Sequence, residues 1–385
     1  MRLKFLCFTL IFFNFTAYAS NVYWGGVSFS GWENKESKYP FTSSFLCIKK
    51  DCVNGNIDGW ALSSLKKNTF NNFVVSTETI GADEIEGVIL TPMINAETVS
   101  IYKDVTGKNI SYIHIYRVYA SLVFFEFGSK RFIAAYPSVM QFTDVLPEPA
   151  SNLEKIKRFK EILNPNTTDK NLFDVLFAQA KNAIPFSFSD KYSRVSDIEV
   201  SDNILNQLPS NFNLNAWKDL VKRQTEAYLV DKSGAALVPS MSNDSAATEF
   251  TATFANASTK IELPDEVPFN FIVKIDNFKK IEKINRKQKT LCHAVALQFS
   301  IQGMLDEILN ERLARTRESC SLVSSDKNPD DIYYFTTSLL SLINKTTQQL
   351  DGSPESSFFK LAAPKSKNIK NKFKTAWEKV IQTSF

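Results

Sequence analysis

Two histidines are the whole imidazole complement of this 385-residue chain. The short motifs of common catalytic chemistries are also missing. No serine stands in a G-x-S-x-G setting and no H-E-x-x-H occurs. Neither G-x-x-x-x-G-K nor G-x-G-x-x-G is present, which argues against nucleotide and dinucleotide chemistry, and no cofactor is expected. With 12 glycines and 14 prolines there is no low-complexity linker. Charge is nearly balanced, 45 Lys+Arg against 41 Asp+Glu, so the basic stripe of a nucleic-acid binder is absent and no such partner is expected. What is there, 44% hydrophobic and 22% charged residues, is the composition of a folded globular protein. It excludes a disordered chain, a collagen-like repeat and a disulfide-dense miniprotein. At ~150 residues per domain the length predicts two or three domains.

The amino terminus reads as an export signal. Arg2 and Lys4 precede a mostly apolar run from Phe5 to Phe15, and Ala17-Tyr18-Ala19 supplies a small-x-small cleavage site, which predicts cleavage after Ala19. The run is too short for an ordinary membrane span. No later run reaches 18 apolar residues; the longest, around Val118 to Phe127, contains Ser121 and Glu126. Cleavage removes two positive charges and leaves +2, so the whole chain steers partners weakly. The expected location is periplasmic or secreted.

Four cysteines then remain: Cys47, Cys52, Cys292 and Cys320. An even number in an oxidising compartment favours disulfides, with three possible connectivities. The local pairing, Cys47 with Cys52 and Cys292 with Cys320, requires no long-range assumption. The second bridge would join a strand-like segment to the end of a helix. A zinc site is disfavoured, because thiolates and imidazoles do not recur at paired close spacing; no metal is expected.

The pattern along the chain predicts an α+β fold. It contains two antiparallel-sheet units, each with a packed helix and related by a degenerate duplication, plus a helical connector and a helical carboxy-terminal region. The predicted divisions are a signal at 1–19, an α+β domain at 20–146, a connector at 147–209, a second α+β unit at 210–302, and a helical region at 303–385. In the first unit, residues 21–31 suggest an edge strand, Ala61 to Phe73 a helix, and Val88 to Ile94 a strand. Glu97 to Asp104 and Asn109 onward form a hairpin about Val105-Thr106-Gly107-Lys108. The β-branched and aromatic stretch Ser111 to Phe127 then turns at Gly128-Ser129-Lys130 and returns from Arg131 to Val145. In the second unit Ala236 to Met241 echoes Val88 to Ile94, Trp217 echoes Trp60, and Gln298-Phe299 echoes Gln141-Phe142. Further strands are expected at Glu249 to Asn256, Phe269 to Phe278 and Thr290 to Ile301. Leu305, Ile308, Leu309 and Leu313 predict a helix. Asn328-Pro329 predicts the start of another, with Asn328 as N-cap. In its double unit of helix, short strand and meander the chain is loosely similar to periplasmic α+β modules of bacterial envelope-assembly proteins.

Candidate chemistry is sparse. His114 lies in Tyr112-Ile113-His114-Ile115-Tyr116 without a local nucleophile or orienting partner, and reads as a packed sheet residue. His293 follows Cys292, but neighbours on a strand point to opposite faces. Asp83, Glu84 and Glu86 read as a solvated loop. N-x-S/T sequons stand at Asn109, Asn166, Asn243, Asn256 and Asn344. No catalytic residue is assigned. The last segment places Ile369, Phe373, Trp377, Val380 and Ile381 on one side and Lys367, Lys370, Lys372, Lys374 and Lys379 on the rest. Either the apolar side docks on the domain, or the lysines meet an anionic membrane surface or an acidic partner. The sequence therefore predicts an exported, non-enzymatic binding or assembly protein with an envelope protein partner. The alternative is an exported hydrolase that uses two carboxylates on polysaccharide or peptidoglycan, with Trp24 and Trp32 stacking on sugars.

Overall fold

The computed structural model describes residues 22–46, 55–78, 87–105, 110–185, 192–196, 198–233, 236–239, 249–264, 266–285, 288–315, 320–324, 329–350 and 352–384. The export signal, Cys47, Cys52, the 83–86 acidic group, Asn109, Asn243 and Asn328 lie outside them. The first part runs β1 (Val22–Trp24), β2 (Ser28–Ser30), α1 (Lys35–Lys38), α2 (Ile57–Leu65) and β3 (Val75–Ser76). Three long strands follow, β4 (Val88–Asp104), β5 (Ser111–Glu126) and β6 (Phe132–Leu146), then α3 (Asn152–Leu163) and α4 (Leu172–Gln179). The second part opens with β7 (Ser193–Val195), β8 (Glu199–Val200), α5 (Asp202–Leu205) and α6 (Leu214–Ser233). Next come β9 (Glu249–Thr253), β10 (Ser258–Glu262), β11 (Phe269–Asn285), β12 (Gln288–Gln302), β13 (Glu307–Arg315) and β14 (Cys320–Ser324). The described chain ends in α7 (Asp331–Thr347), α8 (Ser356–Ala362) and α9 (Ile369–Ser384).

The fold is α+β: two sheets with helices packed against them. Each sheet is built around a three-strand antiparallel meander, and in each a pair of short strands runs parallel to the first meander strand. β1 and β2 pair with β4, and β7 and β8 pair with β11. The register of β4 shifts after Ile94 and that of β11 after Ile275, in each case after the seventh residue of a 17-residue strand. β5 is buried continuously from His114 to Phe125, which suits its β-branched and aromatic sequence and its central place between β4 and β6. Helices α3 and α4 both start at capping boxes, Ser151 with Glu154 and Asn171 with Asp174.

The two sheets share one core. Phe124, Phe159 and Phe177 around the first sheet belong to the same buried cluster as Phe271, Phe299 and Phe373 around the second. Helices α6 and α7 link them. Trp217 of α6 meets Phe278 of β11 edge-on, and its indole N–H donates to Thr336 Oγ1 of α7 at 2.9 Å. Tyr333 of α7 lies 4.9 Å from Tyr102 of β4. The hairpin β9–β10, although it follows α6, joins the first sheet: β9 pairs with β2, and Arg131 bridges Glu262. Phe250, Ala252 and Ile261 of this hairpin cluster with Ile89, Met93 and Phe125 on the other face of that sheet.

Several expectations change. The expected edge strand is instead two interior strands, because β1 lies between β4 and β3 and β2 between β4 and β9. The first helix begins at Ile57 and ends at Leu65, short of Phe73. Ala236–Pro239 carries no strand, so the strand that pairs with β7 and β8, as β4 does with β1 and β2, is β11. Gln141-Phe142 lies in the third strand of its meander, whereas Gln298-Phe299 lies in the second strand of the other. The Leu309–Leu313 stretch is strand β13: Leu309, Glu311 and Leu313 point inward together, paired with Ile301, Phe299 and Leu297. The helix after it takes Asp330 as N-cap, which accepts from Ile332 N and Tyr333 N, so Pro329 precedes the cap. Cys292 and Cys320 are disulfide-bonded and stand opposite each other on β12 and β14, so the bridge joins two strands. No helix among the described residues is long and apolar enough to cross a membrane.

Candidate functional site

The gap between β1 and β2 creates the site. Gly25 N donates to Leu90 O at 2.9 Å, and a Cβ at Gly25 would stand 2.6 Å from Ile89 Cγ2, so only glycine lets the chain pass this close to β4. Gly26 follows with φ +84° and its carbonyl accepts from Thr91 Oγ1 at 2.8 Å. Val27 N then donates to Asp58 Oδ1 at 2.6 Å. Asp58 sits in the first turn of α2, which Asn56 caps by accepting from Gly59 N. The bend is therefore tied at both ends, to the β4 edge and to a helix start.

A cleft of about 890 Å³ opens over this bend. Trp24, Ile89, Phe125, Phe127 and Phe254 supply its apolar walls, and the turn between β9 and β10 with the first residues of β10 closes one side. Its charged side chains are Asp58, Glu78 and Lys130. Burial pushes the Asp58 carboxyl up from its ordinary value, opposed by the Val27 N–H. Lys130 adopts φ 61° in the turn after β5; its ammonium bonds the Phe127 carbonyl and stands 4.0 Å from the centre of the Phe127 ring. Phe127 is 38% exposed, so part of this wall faces solvent. Aromatic faces beside one cation and two carboxylates fit an apolar or aromatic-bearing ligand with a polar anchor.

Trp24 thus lies in the cleft, with its ring edge-on to Phe177, but Trp32 packs on Phe29 and Tyr39 outside it. His114 and His293 are both fully buried and far apart in role. His114 Nε2 accepts the Ala150 N–H at 3.0 Å, one residue before the cap of α3, while Nδ1 lies 3.2 Å from Tyr112 O. His293 Nε2 bonds Asp331 Oδ1 at 2.8 Å at the start of α7, and Asp331 also accepts from Lys280. No group of three or more His, Cys, Asp or Glu among the described residues could hold a metal.

The five lysines of the terminal segment do not behave alike. Lys372 pairs with the buried Glu311, Lys379 lies 3.4 Å from Asp306, and Lys374 lies 3.8 Å from Glu378. Lys367 and Lys370 point to solvent. The apolar side of α9 is occupied, with Ile369, Phe373, Trp377 and Val380 buried. Of the sequons, Asn256 is exposed on the cleft rim, Asn166 is exposed in the loop after α3, and Asn344 lies within α7. Sequence reasoning missed Asp58, Phe127, Lys130 and Phe254. The Gly25-Gly26 doublet was the one available signal, since no local pattern announces that the 249–262 hairpin crosses to the first sheet.

No family model matches the chain, and no curated protein matches it. Among solved structures, the crystal structure of protein XCC0632 from Xanthomonas campestris matches with 11% identity and a TM-score of 0.21, covering 42% of this chain and 81% of that one. A likeness at that TM-score carries no argument about fold or function.

Proposed function

We propose that this chain is an exported binding or assembly module, free of catalysis, that receives an apolar or aromatic-bearing segment of an envelope protein partner in the cleft over Gly25-Gly26. The observation that carries the reading is the cleft itself: four aromatic rings line it, and Asp58, its most buried carboxylate, is committed to the Val27 N–H. Export rests on the Met1–Ala19 signal pattern and agrees with the Cys292–Cys320 bridge, which an oxidising compartment sustains. The matched strand pattern of the two sheets supports descent from a duplicated unit.

Partner capture from the native compartment tests the binding reading. A stoichiometric protein partner is expected with the natural chain and is lost in the Phe127→Ala/Phe254→Ala double variant; equal capture by both would remove the cleft from the account. One observation favours a second reading, a carboxylate-dependent hydrolase: Asp58, held toward its protonated form, shares an aromatic cleft with Glu78. Turnover of polysaccharide or peptidoglycan fragments that Asp58→Asn abolishes would establish that reading instead.

A further inference from the structure

Packing explains only half of the carboxy-terminal segment. The buried row from Ile369 to Val380 accounts for its amphipathic pattern but not for its charge. From Ser356 onward the chain holds seven lysines against a single carboxylate, Glu378, an excess larger than the +4 of the entire chain. Lys372 and Lys379 are engaged by Glu311 and Asp306. Lys365, Lys367 and Lys370 are exposed, and no carboxylate among the described residues pairs with them; Lys374, one turn beyond Lys370, shares only the 3.8 Å contact with Glu378.

The contact of Lys379 with Asp306 brings the end of α9 to the turn between β12 and β13. That turn is closed by Gly303 N donating to Asp306 O at 2.8 Å. At its tip Met304 is 67% exposed and Leu305 98% exposed. Two adjacent apolar side chains thus project from a closed turn beside a lysine-rich helix. The nearby carboxylates are already engaged: Asp306 by Lys379, Glu307 by Asn310, and Glu311 by Lys372 and Ser366.

We propose that the basic carboxy-terminal segment, through the exposed lysines of residues 365–374, docks on an anionic lipid surface, with the Met304-Leu305 turn near the end of α9 as a second contact. Lysines attract acidic headgroups over roughly a Debye length, and a projecting apolar pair enters the headgroup boundary, so each supplies what the other lacks. The charge complement selects anionic lipid over neutral lipid. A side chain as bare as Leu305 on a convex turn suits a fluid surface better than a preformed protein groove. This site is separate from the cleft and stands without it.

The test is co-sedimentation of the purified mature chain with vesicles of phosphatidylcholine alone and of phosphatidylcholine mixed with phosphatidylglycerol. Binding to the mixed vesicles only is expected, weakened by added salt. Lys367→Ala/Lys370→Ala/Lys374→Ala should lower partitioning on the order of a hundredfold. Met304→Ser/Leu305→Ser should lower it about tenfold with the salt dependence retained. All five positions are exposed, so an unchanged melting curve for both variants separates lost docking from lost folding. Equal binding to the two vesicle types, no binding to either, binding that both variants retain, or capture of an acidic protein through these lysines without vesicle binding each overturns the proposal.

Discussion

Glu97 shows how a single buried side chain makes stability depend on pH. It accepts from Phe41 N at 2.6 Å and Thr42 N at 2.8 Å, fixing the chain before the 42–45 turn to β4. Burial outweighs these bonds and pushes its carboxyl from 4.5 up to about 7. Between those values the folded state keeps a proton that the unfolded chain has released, so stability falls as pH rises through this window. The expected loss is roughly 3 kcal/mol, at about 1.4 kcal/mol for each unit. Glu97→Gln should flatten the fall, read from denaturant midpoints at pH steps across the window. His114 makes a second prediction: His114→Ala leaves the Ala150 N–H without its acceptor and opens a cavity, costing about 2–4 kcal/mol in urea unfolding. The reading of His114 as a packed sheet residue agrees with its zero exposure, and its neighbours Tyr112 and Tyr116 announced the sheet. Nothing local could announce Ala150, which lies 36 residues away.

The long strands and the amphipathic helices were the legible elements. β5 with β6 and α9 follow composition and periodicity closely, because each carries its pattern within one contiguous segment, whereas Val88 to Ile94 and Glu97 to Asp104, read as two strands, are the single strand β4 with a register shift between them. β13 was not legible. Leu305, Ile308, Leu309 and Leu313 fall at helical spacing, and the inward Glu311 interrupts the alternation that would have marked a strand. Its carboxylate is buried only because Ser366 and Lys372 arrive from a later segment to satisfy it, so the tertiary context decides the element. The bridge closing the loop between β12 and β14 spans a separation of 28 residues. Cys292→Ser/Cys320→Ser should lower stability by about 3 kcal/mol, and reductant should shift the natural chain by more than it shifts the variant. Phe373, fully buried against Phe299 and Phe359, holds α9 on the second sheet; Phe373→Ala should cost about 3–5 kcal/mol by calorimetry.

At the scale of the molecule, the two sheets are joined by exchange of parts. The hairpin of residues 249–262 extends the first sheet, and Leu237 N donates to Ala135 O of β6 while Val238 N donates to Ser193 O of β7. The α+β class was visible in the order of predicted strands and helices; this exchange was not, because no local pattern marks which distant segment each piece pairs with, as β9 does with β2. A chain cut to residues 20–209 should therefore lose Phe250, Ile261 and Val238 from the cluster over Ile89 and Phe125 and fail to give dispersed amide resonances. The same hairpin supplies one wall of the cleft, which makes the cleft a property of the assembled molecule. The most direct measurement is photo-crosslinking in the native compartment, with benzoylphenylalanine at Phe127 or, as a control outside the cleft, at Leu153, which is 78% exposed. A single protein adduct from position 127 and none from position 153 is predicted. The same adducts from both positions, or none alongside Asp58-dependent cleavage of glycan, would contradict it.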